Sequence, residues 1–482
     1  MDSGFAPLFP KVEFLKSGYS MKITKSSQVL IDFVDKNIKL KKCIKPPPIK
    51  RAVPILKQLY QDILSAYKSL RSANNPFYKL EISKITNPSQ IIKPMHGDTY
   101  FFPKNVREHI NKHSMQTLVY TFTLLEREIK VVFTVEHAHD ITIQVKKTYA
   151  KYIEYIYMWL HILNTYSSKQ CSQNLTIYLY FSSLNKNLPV NSFDVLDVEH
   201  VNTAFTGPCS ETSEIVIYRK EEWFKVLMHE SFHNFGLDFS TMDNSACTTR
   251  ILQLFPVKSE VNLFESYCEF WAEIMNALFC SFAPMMKTDA LNFRKFLINC
   301  DKHINLEINY SIFQLVKALN FMGLKYDALY SSKEYAIILR KNLYKENTNV
   351  LSYYVIKAII MVNYQDTFAW CKAHNNPLLQ FTQTQENLHA FCDHIEDHYN
   401  KPLMLNVVDC MQKVLHDTLG SSIVKTTNVG PSRSKSNKHV RFFTNKSKNN
   451  KTHKKQNKSD CTASTNADFI MKNMRMSINE LG

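Results

Sequence analysis

Residues 225–240 read KVLMHESFHNFGLDFS. His229 and His233 lie four apart, which puts both on one face of a helix, and Glu230 sits beside the first of them. Two imidazoles on one face can grip a metal ion and leave a coordination position open for water. A neighbouring carboxylate can take a proton from that water. The chemistry this set offers is metal-assisted hydrolysis, with His229 and His233 as ligands of Zn²⁺ and Glu230 as general base. The bland alternative is a helix whose histidines are satisfied by core or solvent. A second stretch, FESYCEFWAE, carries Glu265, Glu269 and Glu273 four apart. Phe264, Tyr267, Phe270, Trp271 and Ile274 fill most other positions, so these carboxylates face burial, which is costly without a cation or hydrogen-bond donors. Other candidates are weaker. His394 and His398 in DHIEDH share a spacing of four but are set among acids, which predicts a solvated helix face. His137 and His139 follow a strand and read as loop. Tyr353 and Tyr354 read as core.

The elements around the histidines follow from periodicity. VPILKQLYQDILSAYKSL (53–70) has helical spacing, after the IKPPPIK linker. QTLVYTFTLL and IKVVFTVE flank a turn at 126–128 and predict a β-hairpin. A long aromatic helix is predicted over 148–167, and strands over 174–184, 200–206 and 214–219. The histidine helix then opens with Glu221 and Glu222 in its first turn, facing the helix dipole, and stops at Gly236. Helices are expected at 259–282, 288–304, 309–323, 332–345, 350–363, 384–399 and 403–419, with a short amphipathic one at 467–481. The fold class is α+β. Four regions result: a mixed N-terminal part (1–115), a twisted mixed sheet with the histidine helix (116–240), a mostly helical part (241–424) and a basic tail (425–482).

This order of elements over residues 116–283, with the HExxH pentapeptide, resembles the zincin metallopeptidases. There a twisted sheet packs on the active helix and a helical lower half supplies the third ligand. The resemblance implies a peptide or protein substrate held along an edge strand, with Asn202, Ala204 and Phe205 at the edge positions and Thr203 inserted. A third histidine at the metzincin spacing is ruled out: Gly236 fits that pattern, but Phe239 stands where the ligand belongs and Asp238 is one residue short. The gluzincin branch uses a glutamate on a following helix, with an acid four residues later behind a histidine. Two assignments fit: Glu265 as ligand with Glu269 in support, or Glu269 as ligand with Glu273 in support. The first is preferred, because the 237–258 segment delivers Glu265 first. Ser231 departs from the signature, which has a bulky apolar residue after the glutamate. The rest of the chain resembles uncharacterised zincin-like proteins of large DNA viruses.

The bulk numbers bound the remaining possibilities. The 482 residues are 45% hydrophobic, enough for one large core or two domains. No run of 18 apolar residues appears, so no membrane span is expected, and the start lacks the pattern of a signal peptide. Eleven cysteines at irregular spacing, with no CxxC pair, predict reduced thiols and a cytoplasmic setting, a host cytoplasm or virion if the chain is viral. The net charge of +16 is concentrated: residues 425–458 hold eleven Lys or Arg and no acid, leaving +5 elsewhere. That tail is expected to be disordered. It can bind nucleic acid through phosphates or act as a nuclear address. KHVRF (438–442) resembles the docking motif for protein phosphatase 1, with Lys438, Val440 and Phe442 at its positions. Two function classes follow: a zinc peptidase, or an inactive zincin-like scaffold whose tail recruits nucleic acid or a partner.

Overall fold

The structure is a computed structural model, and it describes residues 22–41, 49–73, 76–97, 99–137, 141–288, 291–426 and 466–482. Six strands build one mixed sheet: β1 (Lys79–Lys84), β2 (Gln116–Leu124), β3 (Arg127–Val135), β4 (Asn174–Phe181), β5 (Ala204–Thr206) and β6 (Thr212–Ile217), in spatial order β1-β2-β3-β4-β6-β5. The β2–β3 hairpin is antiparallel, with Gln116 opposite Val135 and Leu124 opposite Arg127. β3, β4 and β6 run parallel, and β5 closes the edge antiparallel to β6, with Phe205 opposite Val216. Side chains alternate between two covered faces, as period-two geometry requires. Val131, Ile177 and Ile215 point into the main core. Val132, Tyr178 and Val216 join a smaller cluster with Phe102, Val106 and Ile110.

The helices are α1 (Lys25–Lys41), α2 (Val53–Ser72), α3 (Lys104–His113), α4 (Ile143–Tyr166), α5 (Val198–Val201), α6 (Trp223–Asn234), α7 (Ser245–Leu254), α8 (Leu263–Thr288), α9 (Phe293–Phe321), α10 (Glu334–Leu343), α11 (Lys357–Val362), α12 (Tyr364–His374), α13 (Gln385–Glu396) and α14 (Pro402–Thr426). α4 buries a broad aromatic and aliphatic surface from Tyr149 to Tyr166 and leaves a narrow polar face with Lys147, Lys151 and Glu154. α6 lies between the sheet and α8. No helix among the described residues is long and apolar enough to cross a membrane.

Several expectations are corrected. The stretches 288–304 and 309–323 form one helix, α9, because nothing between Lys302 and Tyr310 stops it. The segment 237–258 contains α7. The strand expected at 200–206 is half helix: α5 ends at Val201 and β5 begins at Ala204. Residues 22–115 add α1 and α2 to the main core and β1 to the sheet. The cysteines are not all reduced: Cys171 and Cys209 form a disulfide although they are 38 residues apart, and Cys410 is disulfide-bonded as well. Spacing along the chain cannot reveal which thiols folding brings into reach, so the cysteine argument for a reducing compartment falls. His394 and His398 are buried rather than solvated. His394 Nε2 meets Thr367 Oγ1 at 3.0 Å, and burial pushes its pKa down to about 3. His398 Nδ1 lies 2.7 Å from His394 O, so both rings find partners locally.

The largest correction is at the C-terminus. Residues 466–472 are helical, and those that follow are packed inside the body. Asn473, Met474, Arg475, Ser477 and Ile478 are fully buried. Leu481 pairs with Ile23, and Asn473 with Asn187. The charged stretch hides this segment in any compositional reading. The nucleic-acid and phosphatase-docking expectations, including Lys438, Val440 and Phe442, concern residues that apart from 425 and 426 lie outside the described ones.

Candidate metal centre

The histidine helix is held at both ends. At its N-terminal end Glu222 adopts a left-handed conformation (φ 59°) just before Trp223, so Glu221 and Glu222 precede the first turn instead of occupying it. They do not serve the helix dipole. Glu222 Oε2 pairs with Lys186 at 2.7 Å, and Glu222 Oε1 accepts from the backbone N–H groups of Met476 and Ser477 at 3.0 and 2.5 Å. Although burial alone would raise it, the nearby Lys186, Lys225 and Arg475 hold the Glu222 pKa down at about 2. At the other end Gly236 has φ 65°, its N–H donates to His233 O at 3.1 Å, and Leu237 N donates to Phe232 O at 2.8 Å. That pair of bonds closes the helix through a left-handed residue, which glycine adopts without a Cβ penalty. Ser231 also finds its reason here. Its hydroxyl accepts from Trp159 Nε1 at 3.1 Å and donates to Leu227 O. A bulky apolar residue would leave the buried indole N–H without that acceptor.

His229 and His233 turn their Nε2 atoms toward each other at 3.3 Å. Glu265, in the first turn of α8, brings Oε2 to 3.0 Å from His229 Nε2 and 3.4 Å from His233 Nε2. These three atoms form a near-equilateral triangle. A tetrahedral zinc with ligands at about 2.0–2.1 Å has ligand–ligand edges of about 3.3 Å, so the triangle fits that ion. The outer nitrogens are claimed by carboxylates. His229 Nδ1 stands 3.0 Å from Glu269 Oε2, and His233 Nδ1 stands 2.5 Å from Asp238 Oδ2. The Asp238 hydrogen bond fixes the His233 tautomer and aims its Nε2 lone pair inward, while Glu269 stands behind His229 as an ion-pair partner without a formed hydrogen bond. Glu269 is itself held by Lys225 Nζ at 2.7 Å.

Of the glutamate trio, then, Glu265 meets both histidines and Glu269 stands behind the first. Glu273 touches neither. It binds Lys357 Nζ at 2.6 Å and Ser311 Oγ at 3.1 Å in the helical core. One turn of α8 carries it past the reach of α6, which places it outside the supporting role considered for it.

The electrostatics favour a cation. Burial alone would lower the His229 pKa, but Glu265 and Glu269 overturn it and hold it at about 9. His233 is likewise raised well above the ordinary value, against burial, by the Asp238 and Glu265 carboxylates. Glu265 is driven strongly down, against burial, by the two histidines. Glu230 is different: burial pushes its carboxyl up, the direction a base working near neutrality needs. His233, Asp238 and Cys268 form a second grouping of ligand-type atoms. Burial keeps the Cys268 thiol protonated and Asp238 already occupies His233 Nδ1, so this trio supports the first site and does not offer another.

Beside the triangle lies a cavity of about 30 Å³. Asn202, Thr203 and Ala204 line it from the sheet edge, and His229, Glu230 and Tyr353 from the helices. Phe205 points to the other face of the sheet, where its ring lies 5.7 Å from that of Phe102 at a tilt of 44°. Asn202 Oδ1 accepts from Thr348 Oγ1 at 2.8 Å. Tyr353 is no plain core residue: its hydroxyl donates to Glu265 Oε2 at 2.9 Å. Tyr354, by contrast, donates to Met474 O within the core. Asp238, Lys225, Lys186 and Tyr353 escaped sequence reasoning. Asp238 carried one usable signal, an acid just past the glycine that ends the helix.

No family model, curated protein or solved structure matches the chain.

Proposed function

We propose that the chain is a zinc-dependent hydrolase of peptide bonds built on a zincin-like plan. The observation that carries this reading is the triangle of His229 Nε2, His233 Nε2 and Glu265 Oε2, with a carboxylate behind each histidine. A zinc ion bound there would polarise a carbonyl and acidify water. The remaining chemistry belongs to the chain. Glu230 takes one proton from the attacking water as its oxygen bonds to the carbonyl carbon. The carbon–nitrogen bond then breaks, and Glu230 passes that proton to the leaving nitrogen. The water's oxygen and other proton stay with the new carboxyl group, so one water is consumed per bond. Tyr353 steadies the Glu265 carboxylate through its hydroxyl. The outer edge of β5 offers main-chain groups along which an extended peptide can add as a further strand.

The test has two parts. Elemental analysis of purified protein should find about one zinc per chain, lost when His229 and His233 are both changed to Ala. Glu230→Gln should keep the zinc and lower peptide cleavage by about 10²–10⁴-fold. Folded protein that stays metal-free in zinc-replete buffer would refute the metal site. Zinc-loaded wild type that cleaves no member of a peptide library would refute the peptidase assignment and favour a scaffold.

A further inference from the structure

The cavity beside the candidate metal centre has an unexpected wall. Met476, from the C-terminal segment, lines it together with Asn202, Ala204, Lys186, Lys225 and Glu230. We infer that this C-terminal segment is a fixed wall of the substrate cleft, and that Met476 restricts one residue flanking the cleaved bond to glycine, alanine or serine. The inference rests on the peptidase reading for its chemistry.

Three observations carry it. The first is size. A water needs about 10–15 Å³ of such volume, so the cavity of about 30 Å³ holds about two heavy atoms. An alanine methyl or serine hydroxymethyl fits, and a leucine side chain does not. The second is charge. Lys186 is paired with Glu222 and Lys225 with Glu269, both at 2.7 Å. Neither lysine that lines the cavity is therefore a free cation able to attract an acidic side chain. The third is rigidity. Met476 and Ser477 are pinned through their backbone N–H groups to Glu222, the residue that starts the metal-bearing helix. Arg475 is held by Glu480 at 3.2 Å and by Ser27 Oγ at 3.0 Å. On the far side of Met476, Ile478 N and Asn479 N donate to Glu307. Wall and helix therefore keep one geometry, and the size limit is built in.

The experiment uses the full zinc-loaded chain and a peptide library randomised at both positions flanking the cleaved bond. Wild type should cleave only where one of the two is Gly, Ala or Ser. Met476→Ala removes three heavy atoms from the wall. Since one methylene in such a pocket changes discrimination about 10–200-fold, the Leu-to-Ala ratio of kcat/KM at that position should rise at least about 10-fold. A wild type that accepts Leu as readily as Ala at both positions would overturn the inference. So would a Met476→Ala ratio within about twofold of wild type. A second readout does not depend on turnover. In Glu230→Gln protein carrying ¹³C-methyl methionine, the Met476 methyl resonance should shift with an alanine-bearing peptide and not with its leucine analogue. Shifts of that kind without cleavage by wild type would sustain the wall and refute the peptidase. Cleavage with no such discrimination would do the reverse.

Discussion

Glu307 offers the sharpest test of how the C-terminus is held. It is fully buried on α9, yet its carboxylate accepts four hydrogen bonds from the C-terminal segment. Oε1 accepts from Ser477 Oγ at 2.6 Å, Asn479 N at 3.0 Å and Asn479 Nδ2 at 2.7 Å, and Oε2 accepts from Ile478 N at 3.0 Å. Glu307→Ala removes the acceptor from all four donors. A buried donor left unmade costs about 1–3 kcal/mol; the Ser477 hydroxyl can turn to Asn479 O at 3.1 Å, so the other three together threaten about 3–9 kcal/mol before relaxation. That is comparable with the whole stability of a typical domain, about 5–15 kcal/mol. Glu307→Gln is milder. Its carbonyl oxygen can keep the three bonds at the Oε1 position, and only Ile478 N is left facing an amide NH₂, for about 1–3 kcal/mol. Urea unfolding followed by circular dichroism should therefore rank wild type above Gln above Ala, with Ala at least about 3 kcal/mol down. Hydrogen exchange should show amides 478 and 479 losing protection first. An Ala variant within about 1 kcal/mol of wild type, or an inverted order of Ala and Gln, would refute the docking.

Glu265→Gln should strip zinc, whereas Glu269→Gln should weaken zinc affinity about 10–100-fold while leaving it measurable by competition with a chelator; equal wild-type affinity in both would sink the ligand assignment. Lys317 is buried, and burial lowers its pKa to about 7. The unfolded lysine keeps its proton to about 10.4, so between those values the unfolded state binds the extra proton and stability rises with pH, by up to about 1.4 kcal/mol per unit from this group. Urea midpoints at pH 7.5 and 9 should show that rise in wild type and its loss in Lys317→Met; matching slopes would count against it. Gly236→Ala places a Cβ 3.3 Å from Cys209 Cβ in a left-handed conformation, and thermal melts should report about 1–2 kcal/mol of destabilisation.

What the sequence determined is whatever depends on neighbours along one element. The i,i+4 spacing of His229 and His233 puts them on one helical face wherever that helix goes. The hairpin, the strand expected at 174–184 and found at 174–181, and the aromatic helix expected at 148–167 and found at 143–166 follow from periodicity in kind though not in their ends, because alternation and 3.6-residue repeats reflect which side each element must bury. The four-residue ladder of Glu265, Glu269 and Glu273 was legible too, but not which rung meets the histidines. That is set by where α8 crosses α6, and a shift of one turn, about 5.4 Å, decides it. Only the tertiary structure brings Asp238 and Lys225 behind the centre, since their roles depend on the turn at Gly236 and on the distance between two helices. Only it converts Tyr353 from a core residue to a partner of Glu265. The C-terminus is the clearest case. The pattern over 467–481 reads as a short amphipathic helix, but only 466–472 is helical, and because these residues follow a stretch of Lys, Asn and Ser, composition assigns them to the tail. Their order comes from acceptors distant in the chain, Glu221, Glu222 and Glu307, which form a binding surface only once α6 and α9 both pack on α8.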